Sequence, residues 1–209
     1  MSGAISTCIR AHINRLDCNE LFTTQDLLTY GNRGAVDQCL YRLTSSGYIK
    51  RLSLGVFLKC DKWGNFRDVS VEEVLKKKAS TVGGTVVVQE TDDGIKYLTN
   101  LSSSSVVVNG ERITLIKTSN RKMSLGESKA ASLLRKFWYE GKNKASTIYT
   151  DPQKFGPLKS LKRSEKEELR LAAPLIPDWL NQVVNRENFG KWLNKEEARI
   201  RRLQELHRD

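Results

Sequence analysis

Histidine is scarce in this chain of 209 residues, which holds only His12 and His207. Its four cysteines, Cys8, Cys18, Cys39 and Cys60, form no C-x-x-C pair. Both scarcities argue against a zinc site, which needs clustered Cys and His ligands. No metal and no cofactor is expected, and the thiols read as reduced structural residues. No apolar run approaches the roughly 20 residues that a membrane helix needs. The opening stretch, MSGAISTCIRAHINRLD, lacks the long apolar segment of a signal peptide. The expectation is a cytoplasmic protein with no membrane partner. Three catalytic signatures are also missing: the phosphate loop G-x-x-x-x-G-K-[ST], the zinc motif H-E-x-x-H and the nucleophile elbow G-x-S-x-G. One acidic cluster, Glu90 with Asp92-Asp93, lies near strand-like sequence. Such a cluster can hold Mg²⁺ in a nuclease or nucleotidyltransferase, but Asp92-Asp93-Gly94 is also an ordinary turn. No catalytic residue is assigned, and the chain is not expected to be an enzyme.

Cations and an adequate apolar content are what the chain does have. Formal net charge is +11, and 39% of residues are hydrophobic, enough for a packed core. A basic chain without a membrane segment points to a polyanion as partner. The excess is spread out, at +3 over residues 1–60, +3 over 61–140 and +5 over 141–209. No single segment is the basic one.

Residues 4–16 place Ile5, Cys8, Ile9, His12, Ile13 and Leu16 at helical spacing on one face. His12 on such a face reads as a core histidine. Next, FTTQDLLTYG offers Thr23 or Thr24 as a cap, a short apolar turn through Leu27 and Leu28, and Gly31 as a stop. Asn32 caps a third helix, 33–45, which buries Val36, Cys39, Leu40 and Leu43. At about 100° per residue its opposite face carries Gly34, Gln38, Tyr41 and Ser45, flanked by Asp37 and Arg42. Gly47 stops this helix. YIKRL and GVFLKC then read as two strands around Ser53-Leu54-Gly55. Three helices and a hairpin in this order predict a winged helix-turn-helix. Its third helix would enter the major groove of double-stranded DNA, and the hairpin would follow the phosphates.

On that reading Gln38 can pair with adenine, and Tyr41 is suited to a phosphate. Gly34 permits close backbone approach, and Asn32 or Arg33 can meet a phosphate at the helix start. Thr24, Arg42, Lys50, Arg51 and Ser53 complete the expected DNA-binding set. The competing reading for each is an ordinary solvated surface. A second basic patch is expected from Lys117, Arg121, Lys122, Arg135 and Lys136 near the aromatic pair Trp138-Tyr139. Scattered solubility charges and a core role for Trp138 compete with it.

Beyond the hairpin, SVEEVLKKKA predicts a helix over 70–79, capped by Ser70 and Glu73. TVVVQ, IKYLTN and SSVVVNGERITLIKT are strand-like, with a hairpin signal at Asn109-Gly110. GESKAASLLRKFW predicts a helix burying Ala130, Leu133, Leu134 and Phe137. Ser164 with Glu167 predicts a capped helix, and Pro177 starts another. The end, 189–209, is charged and helical in pattern. The fold class expected is α+β, with a winged helix over 1–66, a small mixed α/β domain with C-terminal helices over 68–188, and a charged tail over 189–209.

The stretch GNRGAVDQCLYRLTSSGYIKRLSLGVF, preceded by FTTQDLL, resembles the N-terminal winged helix of the AbiEi-like antitoxin family, the antitoxin halves of bacterial abortive-infection systems. The similar positions are Phe22, Asp26-Leu27, Gly31, Ala35 to Gln38, Arg42-Leu43, Gly47, Ile49 to Arg51 and Gly55. YLTN at 97–100, VVVNGERITLIKTSNRKM at 106–123 and RSEKEELRLAAPLIPDWLNQVV at 163–184 are similar to the later part of the small members. Residues 60–95 and 186–209 do not match that pattern. The resemblance implies a repressor of its own operon whose C-terminal domain opposes a partner toxin, with no direct contact required. Oligomeric state is not readable. Two other classes compete: a metal-dependent nuclease or phage-defence component that uses the winged helix for DNA targeting, and an adaptor whose winged helix binds protein.

Overall fold

The computed structural model describes residues 2–91, 94–141, 156–158 and 160–184. Asp92, Asp93 and the tail 189–209 lie outside the described residues. The chain is α+β, with a seven-stranded sheet and several helices. By compactness it divides into two units, Met1–Ser119 and Asn120–Asp209.

The first unit opens with α1, Ser2–Arg15, whose Ile9 and Ile13 are fully buried. His12, half-buried on the same face, hydrogen-bonds the Tyr30 hydroxyl through Nδ1 at 3.1 Å. Cys8, one position off the buried stripe, is exposed; only Cys39 is buried. A strand not expected from the sequence follows, β1, Leu21–Thr23. Three residues are too few to show a period of two, and β1 exists because it pairs with a distant strand. The second helix is short: α2, Thr24–Leu27, continues as a 3₁₀ turn, Leu28–Tyr30. Gly31 is extended there rather than left-handed, and its value is space. A Cβ would stand 3.1 Å from the Ile5 side chain of α1.

Helix α3, Arg33–Ser45, begins at Asn32, whose Oδ1 accepts the Ala35 N–H at 2.9 Å. It ends at Gly47, at φ +71°, where the Gly47 and Tyr48 N–H groups bond the Thr44 and Leu43 carbonyls. Val36, Cys39, Leu40 and Leu43 pack with Ile9, Ile13, Phe22, Leu27, Ile49 and Phe57 in one core. Strands β2, Ile49–Ser53, and β3, Val56–Lys59, form an antiparallel hairpin, and β3 also pairs antiparallel with β1. A bulge between Arg51 and Ser53 shifts the register of β2, so Lys50 and Arg51 are exposed while Leu52 and Ser53 are both buried.

The boundary expected near residue 67 is not a boundary between compact units. Residues 61–69 are a connector within the first unit. Helix α4, Val71–Thr81, starts at the expected capping box of Ser70 and Glu73 and buries Val74, Leu75 and Ala79. These join Leu52, Val56 and Leu58 of the hairpin, with Val86, Val108 and Leu115, in a second core. The hairpin therefore has apolar residues in two cores, and the alternation of its own strands does not reveal the second. Strands β4, Val86–Thr91, β5, Gly94–Thr99, β6, Ser105–Val108, and β7, Glu111–Lys117, complete the sheet in the order β1-β3-β2-β6-β7-β5-β4. The β6–β7 turn is the expected Asn109-Gly110, both at positive φ. The seam between the two halves is narrow: Ser53 pairs with Val108, and Asn109 N–H donates to the Leu52 carbonyl at 2.7 Å.

The second unit contains α5, Asn120–Met123, α6, Lys129–Glu140, α7, Arg163–Leu171, and α8, Asp178–Val184. Ala130, Leu133, Leu134 and Phe137 of α6 are buried as the spacing predicts, with Leu158, Leu161, Leu169, Ile176 and Leu180. The cap of α7 sits two residues earlier than Ser164: Lys162 N–H donates to Glu165 Oε2 at 2.7 Å. Among the described residues no helix is long and apolar enough to cross a membrane.

Candidate nucleic-acid interface

Burying one face of α3 forces the other outward. Asn32, Arg33, Gly34, Asp37, Gln38, Tyr41, Arg42 and Ser45 are exposed, as the 100° rotation requires. Tyr41 is 73% exposed, a large phenol left in water by the fold. Arg33 and Asp37, one turn apart, form an ion pair with Nε–Oδ2 at 2.8 Å. At Gly34 the nearest atom to an added Cβ is Asn32 Oδ1, at 3.8 Å. The fold thus has room for alanine, which would favour the helix by about 0.5–1 kcal/mol. Nothing within the first unit requires the glycine.

Immediately after α3, the hairpin presents Lys50 and Arg51 to solvent. Its turn is held from two sides. Gly55, at φ +77°, accepts the Thr24 N–H on its carbonyl at 3.0 Å. Lys78 of α4 donates from Nζ to the Leu54 carbonyl at 2.7 Å. Burial lowers the pKa of Lys78, and the nearby positive charge of Arg51 lowers it further. Lys78 is the basic neighbour that sequence reading missed. It lies 27 residues beyond Arg51 in a run of three lysines, and nothing in that run marks which one meets the hairpin.

Two residues of the expected DNA-binding set are displaced by this packing. Thr24 is 3% exposed and Ser53 is 6% exposed. The hairpin turn covers the first, and pairing with β6 covers the second, so neither offers its side chain to a ligand. Asn32 is exposed, but its Oδ1 is already engaged as the helix cap.

The residues of the expected second basic patch are divided between the two units, and one of them, Arg135, is buried. Lys117 belongs to β7 of the first unit and the other four to the second. Arg135 is 4% exposed, and Nη1 donates to the Gly126 carbonyl at 2.6 Å. Its pKa is lowered by burial, an effect that Glu127 opposes. Arg121 bonds the Leu175 and Ile176 carbonyls, and its guanidinium and the Lys122 ammonium both lie over the Trp138 ring, at 5.5 and 5.2 Å. These cations tie the second unit together. Lys117 and Lys136 are exposed. Trp138 is half-buried against the core, while Tyr139 is exposed.

Among the described residues no group of three or more His, Cys, Asp or Glu side chains is placed to hold a metal ion. The carboxylates Asp92 and Asp93 lie outside the described residues. No family model, curated protein or solved structure matches this chain.

Proposed function

We propose that α1–α3 with β1–β3 form a winged helix-turn-helix and that the protein acts by binding double-stranded DNA rather than by catalysis. The observation that carries this reading is the outward face of α3. It displays Gln38 and Tyr41 with no packing role, beside a helical glycine that the fold does not need. A helix of this kind fits the major groove, where side chains at its exposed face reach base edges. The element order helix, strand, helix, helix, hairpin supports it, as does the net charge of +11. In this reading Gln38 and Gly34 meet the groove, and Tyr41, Arg42, Lys50 and Arg51 meet phosphates. Lys78 supports the hairpin from behind. The short hairpin, fixed at its turn by Thr24 and Lys78, makes a stubby wing rather than a long reaching one.

The biological role that goes with this reading is a cytoplasmic transcriptional repressor acting as the antitoxin of a toxin–antitoxin or abortive-infection operon. The second unit would counter the toxin without direct contact being required. The support is the resemblance carried by 22–28, 31–57, 97–100, 106–123 and 163–184. Gel-shift titration of the full chain on the DNA just upstream of its own coding sequence tests the binding. Wild type is expected to shift that fragment, and Gln38→Ala and Tyr41→Ala are each expected to weaken it by about 1–3 kcal/mol. Wild-type affinity in both variants would remove α3 as the reader.

A further inference from the structure

We infer that Arg33, held by Asp37, reads a guanine. The inference rests on the DNA-binding reading of α3 and deepens it. Arg33 is the first residue of α3, where recognition helices meet base edges. Its Nε donates to Asp37 Oδ2 at 2.8 Å, on the exposed face one turn along. That bond uses the side of the guanidinium and leaves the two terminal nitrogens without a partner among the described residues. The free end is a planar fork of parallel N–H donors, the geometry that matches guanine O6 and N7.

An exposed ion pair of this type stabilises a fold very little, so stability does not account for Asp37. A carboxylate on a face that approaches phosphates also repels them. Its presence there is understood if it orients Arg33. The pairing decides between the two uses an arginine has on DNA. A phosphate contact depends on net positive charge and on counterion release, which a partner carboxylate cancels. A bidentate contact to a neutral base depends on direction, which the same carboxylate supplies. Asn32 acts alongside: its Oδ1 occupies the Ala35 N–H at 2.9 Å, leaving the helix start less able to take up a phosphate.

The test is selection of duplexes from a random pool by the full chain, followed by binding titrations across salt concentration. The chains compared are wild type, Arg33→Ala, Arg33→Lys and Asp37→Ala, and thermal melts confirm that each is folded. The wild-type pool is expected to carry an invariant guanine. Arg33→Ala should lose about ten- to a hundredfold on that site, become indifferent to the base there, and keep the wild-type salt slope. Arg33→Lys, with the charge but no fork, should not restore the preference. Asp37→Ala should bind random duplex more tightly while discriminating less at the guanine. The inference is overturned if Arg33→Ala weakens all duplexes alike with a slope shallower by about one unit and Arg33→Lys restores binding, the signature of a phosphate contact. It is also overturned if the enriched site holds no guanine that depends on Arg33, an outcome that leaves α3 as a DNA reader. A wild-type pool with no enriched sequence would overturn both readings.

Discussion

Tyr41 and Gln38 stand on the water side of α3, so truncating either removes little packing. Each alanine variant is expected to keep its melting free energy within about 0.5 kcal/mol of wild type, and a parallel denaturant titration checks this. Arg51 carries a different prediction, because a phosphate contact carries no sequence information. Arg51→Ala is expected to weaken specific and scrambled duplexes alike and to make the salt slope shallower by about one unit. A loss confined to the specific site would mean that the hairpin reads bases. Which residues face outward on α3 was legible in the sequence, since a rotation of 100° per residue fixes both faces once one is apolar. The burial of Thr24, Ser53 and Arg135 was not legible. Each is polar, and what covers it comes from elsewhere in the chain: Gly55 over Thr24, Val108 beside Ser53, and the Gly126 carbonyl on Arg135.

The elements follow local rules where local rules suffice. Asn32, Ser70 and Ser128 each cap a helix by accepting a backbone N–H three residues on, and Asn109-Gly110 makes its turn through positive φ. Strand β1 and the pairing of β2 with β6 depend on partners far along the chain, so no local window contains them. The start of α4 gives a pH test. Arg67 donates Nη2 to Glu73 Oε2 at 2.7 Å and holds the Glu73 carboxyl below the usual carboxylate range, against a smaller effect of burial. A lowered folded pKa stabilises the fold above the unfolded pKa of about 4.3, and this is lost as pH falls through the folded value. Glu73→Gln is therefore expected to melt below wild type at neutral pH, and the gap should close below about pH 4. A gap that stays constant into acid would mean that the charge of Glu73 does no such work.

For the whole molecule, the separate cores decide what can be cut. Residues 1–66 end before α4 and would leave Leu52, Val56 and Leu58 without Val74, Leu75 and Ala79. That fragment is expected to aggregate or melt without cooperativity, whereas 1–119 is expected to melt cooperatively and to bind DNA. A well-folded 1–66 fragment would show that the second core adds nothing to the hairpin. A polar stretch such as that around Lys62 to Asp68 marks a loop, yet a loop can return the chain to the same core, and only the partners of Leu52, Val56 and Leu58 tell a domain boundary from such a return. Leu134 lies in the separate core of the second unit. Leu134→Asp places an unpaired charge there and is expected to unfold that unit while leaving DNA binding by the first unit intact. The central claim is that α3 reads DNA sequence. Its most direct test is the ratio of affinities of the full chain for the DNA upstream of its own coding sequence and for a scrambled duplex of equal length, at one salt concentration near physiological. The account predicts a preference of at least about a thousandfold, which collapses in the Gln38→Ala, Tyr41→Ala double variant while binding to the scrambled duplex persists. Equal affinity of wild type for the two duplexes would contradict it.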